Sequence, residues 1–254
     1  MFTASHLRRP VRDRGILIAL LIGLAGTAWA VLLVWDASPY GRYLRHDTPT
    51  GLGTPTELGL FVLGWTVMIV AMMLPTAIPL LVTFRAIVGR RPHPGELLTL
   101  AILGYLAVWT MVGLVAWIGD RGIHATVDAV PLLSTHPQLV LVATYVVAGL
   151  YQFSPLKYRC LDECRSPLGF VLNRWKGRAE RTEAFRMGLA HGLFCVGCCW
   201  SLMLVMFAVG LGSLGWMLVI GAITAVEKNV AWGRRLSHPL GVVLLVCALA
   251  VLDG

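Results

Sequence analysis

Charge is scarce in this chain. Only 13% of its 254 residues are Asp, Glu, Lys or Arg, against 57% apolar residues. A water-soluble domain carries about twice that charged share, so a conventional soluble globule is excluded. Several signatures are missing as well. The chain has no glycine-rich phosphate loop, no nucleophile elbow, no metalloprotease helix and no acidic pair suited to hydrolysis. Their absence removes nucleotide chemistry and the common hydrolase classes. Carboxylates are outnumbered 13 to 21 by Lys and Arg, giving a net charge of +8. No basic–aromatic stripe or stacking platform accompanies that excess, so nucleic acid is not an expected partner.

What the chain has instead is a series of long apolar runs. They predict an all-α fold: a polytopic transmembrane helical bundle, a single integral membrane domain over residues 1–254, with the lipid bilayer as partner. Seven spans are expected: Gly15–Trp35, Glu57–Phe84, Glu96–Ile118, Leu139–Ser154, Gly188–Leu211, Ser213–Val226 and Leu240–Leu252. Several are near or below the roughly 17–25 residues that cross a bilayer. The first run is too long for the apolar core of a cleavable signal, and no small-residue cleavage site follows it, so it reads as a retained span.

The basic residues give the orientation. Of the 21 Lys and Arg residues, all except Arg42, Arg45 and Arg121 fall on one side of the seven-span arrangement. Positive residues stay in the cytoplasm, which places the N-terminus inside and the C-terminus outside. The largest polar segment, residues 155–187, is expected as a cytoplasmic loop carrying an amphipathic helix over Asn173–Arg186.

Against this apolar background stand six cysteines, five of them within 40 residues. Cys160 and Cys164 form a C-x3-C pair. Cys195, Cys198 and Cys199 form C-x2-C-C, with His191 one turn upstream. On a helix, positions 191, 195, 198 and 199 share one face, and Leu202 and Met206 extend that stripe. The orientation puts all five thiols at cytoplasmic helix ends, where structural disulfides are rare. Reduced sulfur ligands suit Cu(I) first and Zn(II) second. A four-sulfur site joining the two groups has the ligand set of a structural zinc centre, although the spacing is not that of a zinc ribbon.

Other residues carry weaker signals. Met68 and Met72 lie one turn apart just before Leu74-Pro75, and thioethers beside a proline kink could pass a soft ion along; adaptable packing is the competing reading. Glu227, followed by Lys228, is an ionisable group near membrane depth, read either as an interfacial ion pair or as a group handling metal or protons. Tyr151-Gln152 could support a site by hydrogen bonding or anchor the interface. His46-Asp47, His124, Asp128 and His136 match no metal motif and read as solvated outer-loop residues. A cysteine beside His191 could act as a nucleophile, but no orienting Asn or Asp is near, so catalysis is not the leading expectation. Cys247 reads as a packing residue.

These segments together resemble a known family. Met72-Met73-Leu74-Pro75, Tyr151-Gln152-Phe153-Ser154-Pro155-Leu156-Lys157, Cys160-x3-Cys164-Arg165-Ser166-Pro167 and Gly188-x3-Gly192-x2-Cys195-x-Gly197-Cys198-Cys199-Trp200 occur in this order, with Trp216-Met217 and Glu227-Lys228 after them. This is similar to the bacterial predicted metal-binding integral membrane proteins, a family of unknown function whose members are sometimes labelled copper chaperones. The resemblance runs from about residue 57 to the C-terminus. It implies a multi-pass protein of the bacterial inner membrane that binds a metal, plausibly copper, through Cys160, Cys164, Cys195, Cys198 and Cys199.

The expected function is therefore Cu(I) handling by delivery, sequestration or transport. A metal-donating or metal-receiving protein would be its partner, with His191, Glu227 and Met72 as supporting ligands. Two alternatives use the same cysteines: a transmembrane thiol–disulfide carrier, and a membrane assembly factor with a structural metal site.

Overall fold

The structure is a computed structural model that describes residues 5–38, 54–209 and 214–253. His46, Asp47, Arg42 and Arg45 lie outside the described residues, as do the junctions of the fifth and sixth expected spans. Among the described residues every regular element is helical. Helix α1 is Ser5–Asp36, α2 is Thr54–Met72, and a 3₁₀ turn Pro75–Ala77 leads into α3, Ile78–Val88. Then come α4, Pro94–Ala129, the short α5, Pro131–Thr135, and α6, Gln138–Tyr151. Helices α7, Pro155–Arg165, and α8, Pro167–Arg174, precede the long α9, Glu180–Val209. Helix α10 is Leu214–Asn229, followed by a 3₁₀ turn Gly233–Leu236 and α11, Ser237–Asp253.

Prolines set most of these breaks. A proline opens α4, α5, α7 and α8 within the first turn, where its missing N–H costs nothing. Ser154 Oγ caps α7 by accepting from Leu156 N at 3.1 Å. Between α6 and α7 the chain turns by 63°.

Among the described residues five helices are long and apolar enough to cross a membrane, or six if the bent α6–α7 pair counts as one span. The expected span over Glu57–Phe84 is divided between α2 and α3 at Pro75. The expected sixth span is α10, which has 16 residues. The third helix is longer than expected: α4 continues past Ile118 to Ala129, because nothing opposes helix until Val130-Pro131. His124 and Asp128 therefore sit on exposed helix rather than in a loop.

The 155–187 segment departs furthest from expectation. The expected helix over Asn173–Arg186 is broken between Arg174 and Glu180. The segment forms α7 and α8, a short turn, and the first two turns of α9. The turn is fixed by Gly177, whose φ of +70° suits glycine. The Glu183 carboxylate reaches back over the start of α9 and accepts from the backbone N–H groups of Lys176 (2.8 Å), Gly177 (2.7 Å), Arg178 (3.2 Å) and Ala179 (3.3 Å). The helix start is thus secured by a carboxylate of its own first turn.

Helix α9 is the axis of the fold. Its apolar stretch is 56% buried, against 22% for that of α1 and 22% for the C-terminal one. It packs on α4, α7, α6 and α10. Contact with α4 is backbone to backbone. A Cβ at Gly188 would collide with Ala101 O, and one at Gly104 with Phe185 O. A Cβ at Gly192 would lie 2.9 Å from Val108 Cβ. Small residues four apart on one helix face allow this approach.

Ion pairs gather the helix ends on two levels. Arg91–Glu180 (2.8 Å), Arg181–Glu96 (2.7 Å) and Arg234–Asp162 (3.0 Å) join the start of α9, the start of α4, α7 and neighbouring turns, and Arg85–Asp13 (3.8 Å) joins α3 to α1. Arg121–Glu57 (3.0 Å) joins the opposite ends of α4 and α2. Large apolar side chains such as Leu20, Val34, Val115, Leu193 and Val246 remain exposed around the sides.

The α4–α9 contact yields a paired test. Gly188→Leu must push a side chain into backbone that cannot yield, and is expected to cost about 3 kcal/mol or more. Gly23→Leu, where a Cβ meets nothing within 4 Å, is expected to be near neutral. Unfolding midpoints of the two variants in detergent check this, and equal midpoints would contradict the close approach.

Candidate metal centre

The site begins with a broken helix. At Met73–Leu74 the ladder loosens, with both Met73 N and Leu74 N donating to Ile69 O (2.9 and 3.1 Å). Pro75 has no N–H for Ala71 O, and in the 3₁₀ turn that follows Ala77 N donates to Leu74 O (3.0 Å), which leaves the Met73 carbonyl to other donors. It accepts from Thr76 N (3.1 Å), Thr76 Oγ1 (2.8 Å) and, from α4, the Tyr105 hydroxyl (3.3 Å). The break therefore positions two side chains deep in the bundle.

Both meet the thiols of α9. Tyr105 Oη lies 3.1 Å from Cys195 Sγ. Thr76 Oγ1 accepts from Lys228 Nζ at 3.3 Å, and the same Nζ donates to Cys195 Sγ at 2.8 Å. Cys198 and Cys199 turn their thiols back to the Cys195 carbonyl (3.1 and 2.9 Å), as successive turns of helix allow. Helix α7 adds Cys164, whose thiol lies near enough to Cys198 for the two to interact electrostatically. Cys160 Sγ lies against Gly197, where a Cβ would come within 2.5 Å of it. All six cysteines are free thiols; Cys195, Cys198 and Cys199 are fully enclosed, and Cys164 is partly exposed.

A second polar centre adjoins the first. Glu227 and Lys228 are consecutive on α10, so their side chains diverge by about 100° around the helix. Lys228 goes to the thiols. Glu227, also buried, receives Lys157 Nζ on both carboxylate oxygens at 2.9 Å and Ser237 Oγ at 2.6 Å. Lys157 also donates to Gln152 Oε1 at 2.5 Å, and Gln152 Nε2 donates to Ser201 Oγ on α9 at 3.1 Å. Tyr151 donates to Gly197 O at 2.5 Å. Arg165, at the end of α7, donates to the carbonyls of Glu227, Val230 (2.9 Å) and Ala231 (2.9 Å), groups left open where α10 ends.

The structure thus brings Cys164, Cys195, Cys198 and Cys199 together, with Cys160 alongside. His191 is buried nearby, its ring stacked on Tyr105 (5.6 Å between centroids) and edge-on to Phe170 (5.4 Å). Its Nδ1 is one of two buried side-chain polar atoms without a hydrogen-bond partner among the described residues. Met72 is buried against Gly221 of α10. Glu227 has its oxygens engaged by Lys157 and Ser237. The residues that sequence reasoning missed are Tyr105, Thr76, Lys157 and Lys228. For the two lysines a signal existed: each sits beside a site motif in a chain otherwise sparing with charge.

The donor set suits a soft ion in its chemistry, with four adjoining thiols and an orphaned imidazole nitrogen. The thiols are not arranged as a ready cage: among the described residues no group of three His, Cys, Asp or Glu side chains stands placed to hold a metal. Cys198 and Cys199 would first have to give up their bonds to the Cys195 carbonyl.

A bundle of apolar helices closed around buried thiols and a buried ammonium defines the class. More particularly, the chain belongs to the PpoB2 family, described as copper chaperone, whose model matches residues 62–251 and so contains every site residue named above. No curated protein and no solved structure matches the chain.

The buried ion pair can be tested by a double-mutant cycle. Lys157→Met or Glu227→Leu alone strands a charge in the interior and is expected to cost about 3–5 kcal/mol. The double variant removes both charges and is expected to recover most of that loss. Denaturation midpoints of the three variants measure it; additive losses would show that the two side chains are not paired.

Proposed function

We propose that this protein is a multi-pass membrane protein, of the bacterial inner membrane, that takes up Cu(I) as cargo on its thiol cluster and passes it to another protein. One observation carries this reading: Cys164 of α7 meets Cys198 of α9 beside Cys195 and Cys199, so four free thiols from two helices adjoin. The family description supports copper. The exposed apolar side chains around the bundle, and the five helices long enough to span, support a lipid setting. The seven-span count and the inward-facing N-terminus complete the reading, with the thiols at the cytoplasmic ends of their helices.

In this reading Cys164 receives the ion, being the partly exposed member. Cys198 links it to the fully buried Cys195 and Cys199. Cu(I) accepts two or three sulfur ligands readily, so it can be passed between adjacent thiolates without ever being free. Each thiol that ligates releases its proton. His191 offers its unpartnered Nδ1 as a further donor. Zn(II) is the second candidate cargo, and Cys160 and Met72 are reserve ligands.

The same thiol contacts favour a second reading, a thiol–disulfide carrier, because Cys164 and Cys198 are already adjacent. Purification under reducing, anaerobic conditions separates the two. With metal handling, the native protein retains close to stoichiometric copper, and Cys195→Ser/Cys198→Ser lowers it at least about tenfold. Equal copper in both proteins by elemental analysis would overturn the proposal. A Cys164–Cys198 disulfide in freshly isolated membranes, with no copper retained, would favour the carrier.

A further inference from the structure

Lys228 is out of place in a site meant for a cation. Its ammonium is buried, only 5% exposed, and its hydrogen-bond partners among the described residues are Cys195 Sγ and Thr76 Oγ1. The nearest carboxylate in sequence, Glu227, is bound on both oxygens by Lys157. The ammonium at the centre thus has sulfur, and no carboxylate, as its counter-charge. Around it the field is that of Cys195, Cys198, Cys199 and the Tyr105 hydroxyl.

We infer that Lys228 is a charge-selection residue: a fixed cation within the thiol cluster that makes the site favour a monovalent metal ion over a divalent one. The inference rests on the metal-handling reading above and deepens it. The charges balance as follows. A monovalent ion on two thiolates gives a complex of charge −1, and the adjacent ammonium brings the centre to zero. A divalent ion on the same two thiolates is neutral, and the ammonium leaves the centre at +1. Net charge in a dry interior is costly, so the first arrangement is preferred. A divalent ion reaches neutrality only by taking a third thiolate, which costs a further proton release and another bond to the Cys195 carbonyl. No electron is transferred: Cu(I) enters and leaves as Cu(I), Cys195 ligates as the thiolate that already faces Lys228, and the second sulfur releases one proton to solvent as it ligates.

The geometry gives Lys228 a fixed post. Thr76 Oγ1 holds it from the 3₁₀ turn, and Thr76 is itself held by the Met73 carbonyl. The cation is therefore supported from the far side of the thiols.

The experiment compares the wild-type chain, Lys228→Gln and Lys228→Arg, purified in detergent. Each is loaded separately with Cu(I) and with Zn(II) under reducing, anaerobic conditions, and affinities are taken by chelator competition. Gln keeps hydrogen-bonding capacity and loses the charge; Met is avoided because its thioether is itself a Cu(I) ligand. The ratio of Cu(I) to Zn(II) affinity is expected to fall about tenfold or more in Lys228→Gln and to be retained in Lys228→Arg. An unchanged ratio in Lys228→Gln would overturn the inference and leave metal handling standing. Failure of the wild-type chain to hold either metal would overturn both. If Lys228→Gln is not monodisperse, Lys228→Leu supplies the neutral side chain with an apolar shape, judged by the same ratio.

Discussion

The pairing of Lys157 with Glu227 decides where the other interior charge goes. Two lysines and one carboxylate are enclosed where α7, α9 and α10 meet, and a buried ion is tolerated only with a partner. Lys157 takes both oxygens of Glu227, with Ser237 and Gln152 completing its surroundings. Lys228 must then find its counter-charge about 100° further round α10, and what lies there is Cys195. The thiol cluster is thereby coupled to an ordinary structural ion pair through one peptide bond. Because Gln152 bridges to Ser201, the same network fixes α9 relative to α6.

The backbone supplies the rest of the enclosure. A straight helix over residues 54–88 would keep the Met73 carbonyl in its own ladder. At the break the 3₁₀ turn sends Ala77 N to Leu74 O instead, and the Met73 carbonyl becomes the acceptor around which Tyr105 and Thr76 assemble. On the other side, α9 can approach α4 closely enough for Tyr105 to reach Cys195 because Gly188, Gly192 and Gly104 carry no side chain to keep the backbones apart. The prolines of the second apolar segment and the glycines of the fifth act on the same atom, Cys195 Sγ.

How far this could be read from the sequence follows from the range of each interaction. The stripe of His191, Cys195, Cys198 and Cys199 is local and repeats with the helix, so its one-sidedness was legible. The closeness of the C-x3-C pair to that stripe was legible only as an expectation, since it depends on a 63° turn at Ser154–Pro155 that spacing does not specify. The segment 155–187 reads as a loop because it is the largest polar stretch, and its alternating charges suggest a surface helix over Asn173–Arg186; many of those charges cap helix ends or pair across them, as Glu183 and Arg165 do. Lys157 and Lys228 counted as two more basic residues in the orientation tally, whereas both are buried. Only long-range partners separate a snorkelling lysine from an enclosed one, and those partners are 70 and 33 residues away.

Exposure gives the cluster a direction. Cys164 is partly open, Cys198 is 1% exposed, and Cys195 and Cys199 are fully closed. On the proposed function, a soft ion taken up at Cys164 would move from water toward an interior whose last sulfur already contacts an ammonium. Each step inward removes hydration, which penalises a small divalent ion more than a large monovalent one, since solvation grows with the square of the charge. The gradient of burial and the fixed charge of Lys228 act in the same sense. Cys164 itself rides on α7, which is tied by Arg165 to the carbonyls at the end of α10. A shift of α7 that carried Cys164 outward would have to break those bonds, so on the proposed function the outer thiol would be coupled to the helix that bears both Glu227 and Lys228.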